Sequence, residues 1–169
     1  DSVFQVAAHE EVVPVEELYR YCRIARELLT GDNAAGRVIA RPFLGAEGRF
    51  YRTPRRHDFS LTPPENTMLD LLKNDGLDVI SVGKIYDIFA DKGVTESHRT
   101  VDNDDGMNVT IELQKRDFHG LCFVNLVDFD MKYGHRNDVD GYASAMTAFD
   151  KRLGEFVADM KNDDVLIIS

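Results

Sequence analysis

Strand-like and helix-like segments alternate with short connections over residues 77–168, and this order constrains the fold more than any other feature of the chain. Three apolar runs predict strands, at residues 77–82, 120–125 and 165–168. Amphipathic stretches at residues 106–116 and 141–161 predict helices between them. Successive strand–helix–strand units join parallel strands through right-handed crossovers. We therefore expect an α/β fold with a parallel sheet in this part of the chain.

The first part of the chain lacks this regular alternation. It has an opening strand, a helix beginning at Pro14, a strand at residues 37–42 and a polar loop at residues 45–56. A proline-containing stretch at residues 61–66 is typical of a linker. We expect a domain boundary there, with residues 1–62 in a small α+β unit and residues 63–169 in the α/β part.

The composition of the chain argues against several classes of protein. The formal net charge of −10 argues against a general binder of nucleic acid or of anionic membranes. No run of about 18 apolar residues is present, as a membrane-spanning helix would need. Cys22 and Cys122 lie far apart, without metal-ligand spacing, and are expected to be reduced thiols of a cytoplasmic protein.

The segment after the apolar run at residues 120–125 carries the clearest chemical signal. Asp128, Asp130, Gly134 and His135 follow the predicted strand within a few residues. Ligands of open α/β sheets bind beyond the carboxyl ends of the strands, and a carboxylate with an imidazole suits a divalent metal. Alternatively, the aspartates cap a following helix and the histidine is merely exposed. If these residues bind a metal, Gly134 permits the turn that brings the His135 ring toward the metal ion.

A cluster of arginines in the first part reverses the acidic character of the chain. Residues 37–56 contain a single acid, Glu47, and six arginines: Arg37, Arg41, Arg49, Arg52, Arg55 and Arg56. The planar guanidinium group matches phosphate oxygens, which favours recognition of a phosphorylated ligand. The alternative is a set of salt bridges to the acidic remainder of the protein. Lys84, after the strand at residues 77–82, is a weaker candidate for a phosphate contact.

Several motifs together resemble prokaryotic phosphopentomutases of the alkaline-phosphatase-like superfamily. The longest is NLVDFDMKYGHR at residues 125–136. Four others follow the same order as in that family: DSVFQVAAHEE at residues 1–11, GRVIARPF at 36–43, RHDF at 56–59 and VGKI at 82–85. The resemblance extends over nearly the whole chain.

The resemblance implies an enzyme that interconverts the 1-phosphates and 5-phosphates of ribose and deoxyribose. It also implies two manganese ions, a phosphorylated threonine on the enzyme and a sugar bisphosphate as activator. Asp130 and His135 would then ligate one of the two metals. The sugar phosphate would contact four residues, Asp1, Arg37, Arg52 and Lys84, and the ribose pocket would be lined by Val3 and Ile39.

By the same resemblance, other parts of the enzyme fall outside this chain. The threonine nucleophile and the remaining metal ligands would lie before residue 1 or after residue 169, so no catalytic residue is expected here. Residues 1–62 would be the C-terminal part of a cap domain, and residues 63–169 a middle section of the catalytic core. We therefore expect a fragment of a longer enzyme, without mutase turnover of its own.

Two other functions remain open at this point. The chain could belong to another two-metal phosphatase or to a phosphoglycerate mutase of the same superfamily. It could also be a non-catalytic module that binds sugar phosphates. The module would explain the arginine cluster, but it leaves Asp130 and His135 without a role.

Overall fold

The computed structural model describes residues 2–169, and Asp1 lies outside the described residues. The chain divides into two compact units. The first comprises the residues up to Glu65 together with Asp87–Lys92, and the second comprises Asn66–Tyr86 and Gly93–Ser169. The assignment of residues 1–62 to a cap and of 63–169 to a catalytic core stays a prediction.

A four-stranded sheet and one long helix form the first unit. Its elements are β1 (Val3–His9), α1 (Val15–Leu28), β2 (Arg37–Leu44), β3 (Tyr51–Arg52) and β4 (His57–Ser60). Strand β2 pairs with β1 in parallel and with both β3 and β4 in antiparallel orientation. The connection from β1 through α1 to β2 is a single β–α–β unit.

Helix α1 covers one face of this sheet. The helix begins after Pro14, whose ring is compatible with a helix start, and its first turn carries Glu16 and Glu17, which suit the positive end of the helix dipole. The core of the unit consists of Leu18, Cys22, Val38 and Ala40, all at most 1% exposed. The opposite face of the sheet therefore carries the residues that alternate with Val38 and Ala40 along β2.

A three-stranded parallel sheet organises the second unit, which confirms the predicted α/β class. Its elements are α2 (Met68–Asn74), β5 (Asp78–Val82), α3 (Ile85–Ile88), which begins in this unit, β6 (Glu96–His98), α4 (Asn103–Gln114), β7 (Gly120–Val124) and α5 (Val139–Ala158). The strand order is β6-β5-β7. A π-helical turn (Phe129–Tyr133) and a 3-10 turn (Gly134–Arg136) connect β7 to α5.

The position of a strand in this sheet decides its burial. In the central strand β5, Ile80 and Val82 are at most 1% exposed and pack with Leu113 of α4. Strand β7 has one neighbour, β5, and is half-buried, with Phe123 36% exposed. The strand predicted from the apolar run at residues 120–125 is therefore present but only half-buried, because β7 is at an edge among the described strands.

Other segments also depart from the sequence-based expectations. Residues 165–168 form no paired strand, and Val165 and Ile167 are each 85% exposed. Strand β2 does not stop at Pro42: the Pro42 carbonyl accepts a hydrogen bond from the Thr53 backbone, so the missing N–H does not end the pairing. The short strands β3, β4 and β6 were not predicted.

Both cysteines are free thiols, as predicted. Burial raises the pKa of the Cys22 thiol. Burial, with a smaller effect of the Glu96 charge, raises the pKa of Cys122 to about 11. No helix within residues 2–169 has the length and apolar character needed to cross a membrane.

Candidate functional site

The face of the first sheet opposite α1 gathers most of the predicted substrate-binding residues of this unit. Arg37, Ile39 and Arg41 alternate with the core residues of β2, so their side chains share this face. In the parallel register Val3 of β1 lies beside Arg37. In the antiparallel register Arg52 of β3 lies beside Phe43, which continues the same alternation.

The structure thus places Val3, Arg37, Ile39 and Arg52 on one face, while Asp1 lies outside the described residues. Their exposure differs: Val3 is 41% exposed, whereas Ile39 is 2% exposed. Contact of these four residues with a sugar phosphate stays a prediction.

Salt bridges account for some of the arginine cluster, as the alternative interpretation proposed. Asp58 of β4 accepts two hydrogen bonds from Arg56, each of 2.7 Å, and lies 3.8 Å from a terminal nitrogen of Arg37. Glu10 forms an ion pair of 3.3 Å with Arg55. These carboxylates fix the guanidinium groups but do not match the number of arginines.

Five residues define a small basic pocket on this unit. It has a volume of about 160 Å³ and is lined by Arg41, Pro42, Arg52, Thr53 and Arg56. Arg41 donates a hydrogen bond through Nε to the neutral side-chain amide of Gln5. Burial lowers the pKa of Arg41, and the positive charges of Arg56 and Arg52 lower it further. The positive charges of Arg41, Arg52 and Arg56 are therefore close together and are only partly neutralised by carboxylates. Neither Arg41 nor Arg56 had been singled out within the cluster from the sequence, since their convergence depends on strand register.

In the second unit, the carboxyl ends of β5 and β7 lie side by side. Gly83 follows β5 with φ +82°, and a Cβ atom at this position would lie 2.4 Å from the carbonyl oxygen of Asn125. The next residue, Lys84, has its Nζ atom 2.8 Å from the sulfur of Met131. The structure thereby brings the predicted phosphate contact Lys84 to the segment that holds Asp130 and His135.

Asp130 and His135 are themselves in contact. The His135 Nε2 atom lies 3.2 Å from Asp130 Oδ2, and both side chains are about three-quarters exposed. Two ligand atoms that each lie about 2.1 Å from one ion are separated by roughly 3 Å, so this spacing is compatible with a shared divalent metal. Among residues 2–169, no group of three or more histidine, cysteine and acidic side chains is arranged to hold a metal. The pair thus offers a carboxylate and an imidazole, and metal binding by these two residues stays a prediction.

A buried polar contact fixes the start of this segment. Asp128 accepts a 3.0 Å hydrogen bond from the Asn103 backbone N–H, and the Asp128 N–H donates a 2.8 Å bond to the Asn103 side chain. Asp128 is 7% exposed, and Lys132 donates a further bond to its carboxylate. The adjacent Phe129 packs against Tyr142 of α5, with ring centroids 5.2 Å apart. The alternation of polar and apolar residues at 127–130 could have indicated this anchor.

Gly134 does not act through backbone conformation. Its φ of −59° is ordinary for any residue, so the prediction that it provides a special turn is wrong. Instead, its small size permits close packing: a Cβ atom there would lie 3.1 Å from the Phe129 carbonyl and 3.5 Å from an Asp130 carboxylate oxygen.

Comparison with known proteins defines the class. A family model described as the metalloenzyme superfamily matches residues 48–169, and the chain therefore belongs to this superfamily. This membership is consistent with the α/β parallel-sheet fold and implies a metal cofactor in the class.

Particular relatives match the chain along all of its residues. The chain is 60% identical to a phosphopentomutase of Clostridium novyi and 59% identical to phosphopentomutases of Lachnoclostridium phytofermentans and Caldanaerobacter subterraneus. In each case the match covers 100% of this chain and 43% of the relative. The resemblance inferred from the motifs is thereby confirmed.

Proposed function

We propose that this chain is part of a phosphopentomutase, which interconverts (deoxy)ribose 1-phosphate and (deoxy)ribose 5-phosphate. The observation that carries the proposal is identity of 56–60% to proteins of that name along the whole chain. The arginine-rich sheet face in one unit and the Asp130–His135 pair in the other are the features that such a reaction needs. The natural setting of a pentose phosphate enzyme of this kind is the cytoplasm.

The residues of the first unit are proposed to bind and orient the sugar phosphate. Arg37 and Arg52 supply positive charge for the phosphate that is not being transferred. Lys84 is proposed as a further phosphate contact. Val3 and Ile39 supply apolar contacts to the ribose. Phosphoryl transfer depends mainly on positioning and electrostatic stabilisation, so these contacts contribute to the rate as well as to affinity.

Asp130 and His135 are proposed to hold one of two manganese ions. The ion that these two residues would hold would supply positive charge next to the transferring phosphoryl group and the oxygen that carries it. The role of this chain is to hold the two ligands at a fixed spacing. Asp128 and Asn103 support that role because they anchor the beginning of the ligand-bearing segment.

The complete reaction requires groups beyond these residues. We propose that a phosphothreonine located elsewhere in the full-length enzyme exchanges its phosphoryl group with the sugar. A sugar bisphosphate would be the intermediate and the activator. In this proposal, residues 1–62 are part of a cap that closes over the sugar and excludes water from the phosphoenzyme.

Two variants of the full-length protein test the proposal. Arg52→Ala should weaken the use of ribose 5-phosphate while the bound manganese, measured by metal analysis, is unchanged. Asp130→Asn should lower bound manganese and mutase activity together, because it removes an anionic ligand. Arg49→Ala is a suitable control, since it removes a nearby exposed arginine that does not line the basic pocket.

The outcomes also separate the competing functions. Phosphate release without mutase activity would identify a phosphatase, and turnover of phosphoglycerate would identify the related mutase. Sugar-phosphate binding without bound metal or turnover would identify a non-catalytic module. Mutase turnover by the purified 169-residue chain alone would contradict the proposal that the nucleophile lies elsewhere.

A further inference from the structure

The basic pocket of the first unit contains residues to which no role has been given. Arg41 and Arg56 contribute to its wall together with Arg52, although neither belongs to the predicted substrate contacts. All three side chains line the same pocket. Pro42 supplies a wall that has no backbone N–H.

The charges around the pocket remain unbalanced. Two carboxylates are close: Asp58 binds Arg56, and Glu10 binds Arg55 and the hydroxyl of Thr53. Arg41 has only the neutral amide of Gln5 as a partner, and the Arg52 side chain forms no hydrogen bond or ion pair with residues 2–169. Positive charge therefore exceeds negative charge where Arg41 and Arg52 meet.

The guanidinium groups also retain unused donors. The Arg41 Nε atom is occupied by Gln5, but its two terminal nitrogens bind no described residue. In Arg56 the Nε and one terminal nitrogen are occupied by Asp58, which leaves the other terminal nitrogen. An anion in the pocket would accept hydrogen bonds from these donors and relieve the repulsion between the like charges.

The size of the pocket restricts what it can hold. Pockets for whole drug-sized ligands have volumes of about 300–1,000 Å³. A cavity of about 160 Å³ is smaller than this range and suits a single small anion. A tetrahedral oxyanion has several acceptor oxygens, so it can accept hydrogen bonds from more than one of these arginine donors.

We propose that Arg41, Arg52 and Arg56 form a binding site for one phosphoryl group, in which Arg41 and Arg56 are additional ligand-binding residues. Arg37 stands apart, because it does not line the pocket. The identity of the ligand rests on the proposed function, which would make the phosphoryl group that of the pentose phosphate. Free inorganic phosphate offers the same chemistry.

Titration calorimetry of the chain in buffer with a metal chelator tests the site without turnover. Inorganic phosphate should bind saturably, and Arg41→Gln and Arg56→Gln should each weaken binding roughly tenfold or more, since each removes a charge-assisted hydrogen-bond donor. Arg55→Gln is the matched control, because it removes the same charge from a neighbouring residue outside the pocket. It should weaken binding by less than about twofold.

Circular dichroism establishes that each variant is folded. If Arg41→Gln unfolds, Arg41→Lys replaces it. Arg41→Lys should still weaken phosphate binding, because lysine lacks the planar fork of the guanidinium group. Equal losses in the Arg41 and Arg55 variants, or no saturable phosphate binding, would overturn the site. Ribose 5-phosphate should compete with inorganic phosphate. If it does not, while phosphate binding still depends on Arg41, the anion site stands and its ligand is inorganic phosphate. Failure of mutase activity in the full-length protein would leave these binding results unaffected.

Discussion

Replacement of Gly83 by alanine tests whether the ends of β5 and β7 are held together by close backbone contact. The φ angle of Gly83 is +82°, and an added Cβ would lie 2.4 Å from the Asn125 carbonyl oxygen, where real Cβ atoms are essentially never found. Gly76 provides a matched control in the same unit. Its φ angle is +78°, but a Cβ atom there would meet nothing within 4 Å.

The two variants separate two costs. An L-residue in the left-handed region costs roughly 1–2 kcal/mol, and this cost is common to both positions. Alanine also reduces the entropy of the unfolded chain by a similar amount in both variants, so that effect cancels in the comparison. Only Gly83→Ala must also displace backbone, and such overpacking costs about 1–3 kcal/mol. Gly83→Ala should therefore be less stable than Gly76→Ala by about 1–3 kcal/mol.

Urea unfolding followed by far-UV circular dichroism measures this difference, provided that the slope with urea stays the same in both variants. Amide hydrogen exchange in β5 serves as a local probe of the second unit, so the comparison does not require both units to unfold together. Equal unfolding midpoints and equal protection in the two variants would refute the reasoning. They would show that the strand ends separate without cost.

Three further predictions concern the second unit. Arg116, with His98 as a smaller contributor, holds the pKa of Glu96 at about 2 instead of 4.5. The stability that Glu96 contributes is therefore present above pH 4.5 and is lost as the pH falls toward 2. Glu96→Gln should flatten urea stability across that range. Cys122, whose pKa is raised to about 11, should react with iodoacetamide at pH 9 roughly fiftyfold more slowly than the same thiol in the urea-unfolded chain. Asp128→Ala should cost about 1–3 kcal/mol and speed amide exchange mainly at residues 125–136.

Each of these expectations has a result that contradicts it. An unchanged acid dependence of stability in Glu96→Gln would mean that the pair with Arg116 does not persist in solution. Equal alkylation rates in the folded and unfolded chain would show that the Cys122 thiol is accessible and normally acidic. Uniformly faster exchange in the Asp128 variant would indicate general unfolding instead of a local anchor.

The sequence predicts elements best where the local pattern and the tertiary setting agree. The amphipathic stripe beginning at Val15 becomes α1, and the apolar run ending at Val82 becomes the central strand β5. Strand β6 escapes prediction because Glu96-Ser97-His98 has no apolar run, and its pairing with β5 comes from tertiary contact. For residues 165–168 the apolar pattern is real, but no strand among residues 2–169 pairs with them.

Prediction of the candidate site from sequence is also limited, because contacts between side chains depend on tertiary structure. The pair Asp130 and His135 was visible because both residues follow one strand within a short segment. The convergence of Arg41 with Arg52 and Arg56 was not visible, because it depends on how β3 and β4 pair with β2. Sequence identifies the arginine-rich segment, whereas strand register selects which arginines meet.

The two-sided sheet of the first unit allows stability and ligand recognition to change independently. Along β2, Val38 and Ala40 face the helix and hold the unit together, while Arg37 and Arg41, each one position away, face the other side. A change at a core position would weaken folding and leave the charge pattern intact. A change at an adjacent arginine would alter ligand preference at little cost to the core. A single strand therefore offers neighbouring positions at which specificity can diverge without loss of the fold.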